Sequence, residues 1–435
     1  MTAVDESVEL YAGSIEAVGG GQHATGQGKV VLSWVPTPSV VFSLDIVEGN
    51  FDPVIADEVS LKLEGYGNAI AAQITGISND IGPGRSSCRL SGIVSNGEGR
   101  TALADFSHVD FALANFVNFR GNWITNLSGH NSWAGRSVLQ FDNWKLTIDK
   151  VEPERLKPNS KAALAAGFLI THSARLERRD GALFSVEEAK LVLDVLYWFF
   201  SFCRAKPTPA VLPQGFDSNG NPVWSEWANL NLAPLADERS WFNSLNSEGV
   251  EGLIQGFWSK FNDPAWKKAV KLAVYWYLES NAVGNDSALI LAQAAFELLT
   301  WNMLVKSGPR ISRSEFKDRN TAESRLGMAL SAAKIPDKVP DTLTALLRLA
   351  NVEGWSNGPA SLVNVRNALV HTSRDSHEEC LDELDAHSLF EACALSLWYL
   401  ELLLLSLFDY QGQYSSRLIF SGFRGSEVSS VPWKK

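Results

Sequence analysis

Near its C-terminus the chain reads LVNVRNALVHTSRDSHEE, Leu362 to Glu379. Val363, Val365, Leu369 and Val370 supply an apolar stripe at helical spacing, which predicts a helix over 359–373. Arg366 and His371 are five apart, about 140° around an ideal helix axis, so they do not share a face. They meet only if the long arginine side chain reaches across, or if the helix loosens near Thr372-Ser373. Asn367 and His371 are four apart and do share a face, so Asn367 can orient the imidazole or contact a phosphate. A plainer reading stands beside the chemical one: Arg366 salt-bridged on a helix surface, and His371 capping the C-terminal end.

Outward from this stretch, the chain from about residue 249 reads as helical. The predicted helices are 249–261, 264–281, 286–306, 313–333, 340–351, 359–373 and 382–409. Asp263-Pro264 is a start signal with proline at the first helical position. Asp286 or Ser287 can cap the third helix, and Pro336, Pro340 and Gly358-Pro359 punctuate later boundaries. Residues 1–155 have another character. Short runs such as KVVLSWV, SVVFSLDIV and VSLKLEGY are separated by Gly, Asn, Asp and Pro, as in a sandwich or barrel. Residues 156–248 are mixed: AALAAGFLITHSARLER reads as a strand, and SVEEAKLVLDVLYWFFSF as a helix opened by a Ser185/Glu188 capping box. Residues 413–435 form a polar tail, expected to pack as an extended arm. The expected fold is therefore α+β and multidomain: a β-rich region, a bridge, and an all-α bundle at 249–412.

Composition narrows the function classes. With 435 residues, 45% hydrophobic and 20% charged, the chain can bury ample core without staples. Its net charge of −11 disfavours broad nonspecific attraction to nucleic acid, although a small cationic site is compatible with it. Cys88, Cys203, Cys380 and Cys393 form no CxxC pair, which points to a reduced, cytoplasmic protein. The N-terminus lacks the basic and apolar regions of a signal peptide. The runs Leu191–Cys203 and Leu395–Phe408 are shorter than the ~20 residues of a membrane span, so no membrane partner is expected.

Other motifs are weak. GxSxG, HExxH and Walker loops are absent. The glycine-rich stretch Gly19–Lys29 lies between strands and reads as a hairpin loop rather than a phosphate cradle. Asp217–Asn221 is hairpin-turn chemistry, with no twelfth-position Glu to complete a calcium loop. His377 and His387 are about 80° out of phase on a helix, too far for them and Glu378 to chelate well. No metal and no cofactor are expected. Trp123, Trp133 and Trp144 could stack on a ligand, but with 15 tryptophans in the chain core packing is the preferred reading.

RNA cleavage without metal needs a group that moves protons near neutral pH, which suits histidine. It also needs a fixed cation on the phosphorane-like transition state, which suits the planar fork of arginine. The Arg-Asn-x3-His set, late in an all-α region, resembles the R-x4-6-H motif of HEPN domains (higher eukaryotes and prokaryotes nucleotide-binding). The helix DSALILAQAAFELLTWNML, with Glu297 in an apolar run, resembles the first core helix of that family. The similarity covers about residues 250–410. VDFALANFVNFRG and the helix beginning at Ser185 resemble the N-terminal region of ApeA-type anti-phage proteins, which end in a HEPN domain.

The resemblance implies a metal-independent endoribonuclease in anti-phage defence, acting on RNA. His371 would be the general acid and base, Arg366 the phosphate contact, and Asn367 the orienting residue. It further implies a homodimer through the helical region, with two copies of the motif in one cleft. The N-terminal region would sense a phage-derived or nucleotide trigger, or restrain the nuclease. Glu297 could support the site, or salt-bridge Arg366 or a lysine and hold the bundle. Two other classes compete: a catalytically inactive HEPN scaffold whose β-domain recognises a ligand or phage protein, and a carbohydrate-active enzyme, for which no defensible carboxylate pair is present.

Overall fold

The computed structural model describes residues 5–52, 57–82, 85–100, 105–126, 128–152, 167–235, 239–307, 310–371, 380, 383–420, 422–423 and 425–434. Six antiparallel strands open the chain: β1 (Val8–Gly19), β2 (Gln22–Ser33), β3 (Ser39–Asn50), β4 (Glu58–Leu63), β5 (Ile70–Gly82) and β6 (Arg85–Arg100). They run in the order β3-β2-β1-β4-β5-β6, and a β3–β6 pairing closes the ring into a barrel. Closure removes the sheet edges that a six-stranded open sheet would expose. Period-two alternation fills the interior: Val30, Leu32 and Trp34 are buried while Val31 and Ser33 are half-exposed. The glycine-rich segment is indeed a hairpin, turning on Gly20 and Gly21, both at positive φ.

β6, 16 residues long, carries the ladder out of the barrel. Cys88 to Ile93 pair with β3, and Gly97 to Arg100 pair with β13 (Pro222–Trp227). From there the order continues through β12 (Ala210–Phe216), β7 (His108–Ala114), β11 (Ile170–Arg178), β10 (Trp144–Lys150), β9 (Ser132–Phe141) and β8 (Asn122–Thr125). Strands from residues 156–248 thus complete a sheet begun before residue 150. The change of composition near 155 is not a break in the sheet. The part of the strand reading that covers residues 162–166 lies outside the described residues.

The two β-layers have separate cores. The barrel encloses Ile15, Leu32, Phe42, Leu61 and Leu90. The second sheet shares one continuous core with the helices, from Phe106 and Phe141 through Phe199 and Phe257 to Leu403. α1 (Val186–Arg204) begins with the expected capping box: Glu188 N–H donates to Ser185 Oγ at 3.2 Å, and Ser185 N–H donates to Glu188 Oε2 at 2.9 Å.

The remaining helices are α2 (Glu248–Asn262), α3 (Lys267–Ser280), α4 (Asn285–Trp301), α5 (Ala322–Ala332), α6 (Thr344–Glu353), α7 (Gly358–Val370) and α8 (Ala386–Leu407). Several boundaries differ from the sequence reading, among them α6, which begins at Thr344 rather than at 340. Asp263-Pro264 makes a turn rather than a helix start, because the Asp263 carbonyl accepts from both Trp266 and Lys267 and α3 begins after it. α4 is capped by the backbone of Gly284, without a side-chain cap from Asp286 or Ser287. The 313–333 helix is split into a π-helical turn at Glu315–Arg319 and α5, which Thr321 caps. A second π-helical turn, Asn302–Lys306, ends α4.

The apolar run ending at Phe408 belongs to the 22-residue α8, which by length and composition could cross a bilayer; so could residues 285–306. In the fold α8 is the central helix, with 89% of its apolar window buried, and 50% for the other. The tail after Gly412 forms an arm whose strands β14 (Gln413–Ser415) and β15 (Val428–Ser430) pair with each other. All four cysteines are free thiols.

Candidate active site at the end of α7

α7 is positioned by its start. Asn357 accepts from Ala360 N–H at 2.8 Å, and Pro359 follows in the first turn. Gly358 lies so close to α8 that a Cβ there would stand 2.3 Å from Tyr399 Oη. A side chain would therefore push the two helices apart. Leu362, Val365 and Ala368 then bury one face against α4, α5 and α8. Val370, placed in the apolar stripe by the sequence reading, instead stands 41% exposed because it falls on the far face.

The helix stops at Val370. His371 still donates its N–H to the Asn367 carbonyl at 2.8 Å, but its own backbone leaves the helical region (φ −124°, ψ 64°). That departure, with the reach of the arginine, overcomes the 140° offset. Arg366 Nη1 donates to Asn367 Oδ1 at 3.0 Å and lies 3.5 Å from His371 Nε2. Arg366 and Asn367 are half-buried, and His371 is exposed. Nε of Arg366 is buried and has no hydrogen-bond partner among the described residues. Thr372 and Ser373 lie outside them.

This arrangement joins three functions at a helix end. The guanidinium is held by Asn367 through Nη1, which also faces the imidazole. An imidazole faces solvent beside it. A phosphate arriving from solvent could be gripped by the first and reached by the second.

Glu297 is not part of this cluster. Its Oε2 accepts from Arg325 Nη1 at 2.9 Å and its Oε1 from Gln293 Nε2 at 3.2 Å. The expected pairing with Arg366 or a lysine is replaced by a brace between α4 and α5. Arg325 also lies over the Phe316 ring, 4.2 Å from its centroid, which ties the brace to the π-helical turn. No local pattern marks Arg325, because the pairing joins residues 28 apart across two helices.

The other candidates resolve individually. His387 pairs with Glu391 at 3.1 Å; His377 and Glu378 lie outside the described residues. No group of three metal-ligating side chains occurs among the described residues. Asp217 Oδ1 accepts from Asn219 and Asn221 N–H and so closes the β12–β13 hairpin. Trp144 is core, Trp133 donates to the Lys150 carbonyl at 2.8 Å, and Trp123 is 72% exposed.

Two family models match the chain: the YopA central domain over residues 102–237 and the YopA C-terminal domain over residues 263–427. The first covers most of the second sheet with α1, and the second covers α3 to α8 with most of the arm. The chain is 26% identical to the SPbeta prophage-derived uncharacterized protein YopA of Bacillus subtilis (strain 168), across 99% of this chain and 96% of that protein. No solved structure matches it.

Proposed function

We propose that this chain is a metal-independent endoribonuclease of the HEPN type, acting in a reduced cytoplasm in defence against phage. The observation that carries the reading is the convergence of Arg366, Asn367 and His371 at the end of α7, with Nη1 3.5 Å from the imidazole Nε2. His371 takes the proton from a ribose 2′-hydroxyl, whose oxygen attacks the adjacent phosphorus. The bond to the 5′-oxygen breaks, and the leaving oxygen receives a proton. Arg366 stabilises the charge that gathers on the phosphoryl oxygens. The products are a 2′,3′-cyclic phosphate and a 5′-hydroxyl end.

One imidazole must serve as base and then as acid, unless a second copy is present. In a homodimer the partner subunit's His371 supplies the second proton transfer. The exposure of His371 at a helix end supports such a composite cleft. The N-terminal β-region acts as sensor or restraint.

Purified chain incubated with end-labelled RNA in EDTA tests the reading. Cleavage leaving cyclic-phosphate ends, lost in His371→Ala and Arg366→Ala, is the expected result. Full activity in both folded variants would end the assignment. Absence of cleavage by the wild type would favour the inactive-scaffold alternative.

A further inference from the structure

A cleft of about 690 Å³ lies between the β7–β11 end of the second sheet and the C-terminal arm. That volume suits a small-molecule site, for which roughly 300–1,000 Å³ is usual. Lys150, Arg204, Arg239 and Arg417 line it, with Glu427 the acid of its described wall. Lys150 stands opposite His172 in the β10–β11 register, so ammonium and imidazole share a face. Gly135 makes room for the lysine: a Cβ there would meet Lys150 Cβ at 2.5 Å. No described acid pairs with Lys150, and burial holds its pKa below the usual value. Arg239 lies over Phe420, 5.1 Å from the ring centroid.

His172 is 1% exposed and lines the same cleft. Its ring is stacked on Phe119 at 5.3 Å. The Thr171 hydroxyl lies 3.2 Å from the Leu113 carbonyl and 2.9 Å from His172 Nδ1. Nε2 is buried and without a hydrogen-bond partner among the described residues. A buried ring nitrogen left unpaired is costly, and a hydrogen bond from a ligand would recover that cost. At the mouth, Phe423 is 93% exposed, an apolar face with nothing described against it.

We propose that this cleft binds a small phosphomonoester carrying a planar ring and a polar group that hydrogen-bonds His172, of mononucleotide size. Its phosphate meets Lys150 and Arg239, its polar group meets Nε2 of His172, and its ring covers Phe423. Four cations line the cleft against one acid; Arg204 is bonded to the Ala233 and Pro234 carbonyls and Arg417 to Glu401, and the excess of positive charge matches a phosphate dianion better than a single carboxylate. The site stands apart from the end of α7 and does not depend on the ribonuclease reading.

Isothermal titration of the full chain with AMP, GMP, CMP and UMP tests this, with adenosine and inorganic phosphate as fragments. At least one nucleotide should bind, and Lys150→Gln and Arg239→Gln should each weaken it tenfold or more. Phe423→Ala should weaken it a few-fold, and both fragments should bind less tightly than the whole ligand. Thermal melts of each variant separate lost binding from lost folding. No heat with any nucleotide at millimolar concentration overturns the proposal. So does binding unchanged by both cation variants, or adenosine binding as tightly as AMP. Because binding is read and not cleavage, failure here leaves the α7 site untouched, and the converse holds.

Discussion

The end of α7 and the cleft beneath the C-terminal arm both set an imidazole near a cation, yet they differ in almost every physical respect. At the end of α7 the imidazole is exposed at a helix terminus, and Arg366 reaches it from half-burial. In the cleft, His172 is buried among phenylalanines on an inward strand position, and burial, with Lys150 opposite, pushes its pKa down to about 3. An imidazole in water can take up and release protons, whereas a desolvated one is held neutral and offers hydrogen bonds rather than charge. The same side chain is therefore suited to proton transfer in one place and to ligand recognition in the other. Guanidiniums divide likewise. Arg417, beside the cleft, is buried against Glu401 at 2.7 Å, with further bonds to Asn281 and Tyr277, while Arg366 keeps Nε unused.

The largest expected effect tests the exposed site. His371→Ala and Arg366→Ala should lower RNA cleavage roughly 100- to 10,000-fold. The melting profile of His371→Ala should stay within about 0.5 kcal/mol of the wild type, because its side chain is at the surface. Loss of folding in His371→Ala would break the contrast between the two regions.

Arg417→Met should do the reverse. It leaves Glu401 buried and uncompensated, costing roughly 3–5 kcal/mol in urea unfolding. Burial already raises the Glu401 pKa against the pull of Arg417, so the orphaned carboxyl should take up a proton more readily. The deficit of Arg417→Met relative to the wild type at the same pH should accordingly shrink as pH falls toward 5.

Acid sensitivity of folding isolates His172. The unfolded chain protonates His172 near the usual 6.5, but the folded chain does so only near 3. Between those values the unfolded state binds more protons, so stability drops as pH falls. From this group the loss is roughly 2 kcal/mol at pH 5. Urea midpoints of wild type and His172→Phe, each compared between pH 7 and pH 5, should differ by that increment. The smallest effect belongs to the brace. Glu297→Gln should cost about 0.5 kcal/mol, since the pair is partly exposed, and should leave cleavage unaltered.

Much of this architecture was legible in the chain. Short apolar runs punctuated by turn residues marked the barrel strands, and the Ser185/Glu188 pair marked the start of α1. Helical periodicity outlined the bundle, with errors at ends governed by backbone turns, as at Asp263. The candidate site was legible as a conditional statement: Arg366 and His371 meet if the helix yields, and it yields at His371. His172 carried a signal that was passed over. It shares an inward face with Ala174 and Leu176, so a polar residue sits at a core register.

By itself the sequence determined the local matters, because period, caps and turn residues act over a few positions. It set the β-rich and helical regions, the presence of α7 and the identity of the Arg-Asn-His set. Only the tertiary structure decided which distant groups meet. Closure of the barrel through β3 and β6, the Glu297–Arg325 brace, and the cleft between β11 and the arm each join residues far apart in the chain. Their geometry follows from how whole layers pack, and no short window of sequence contains that information.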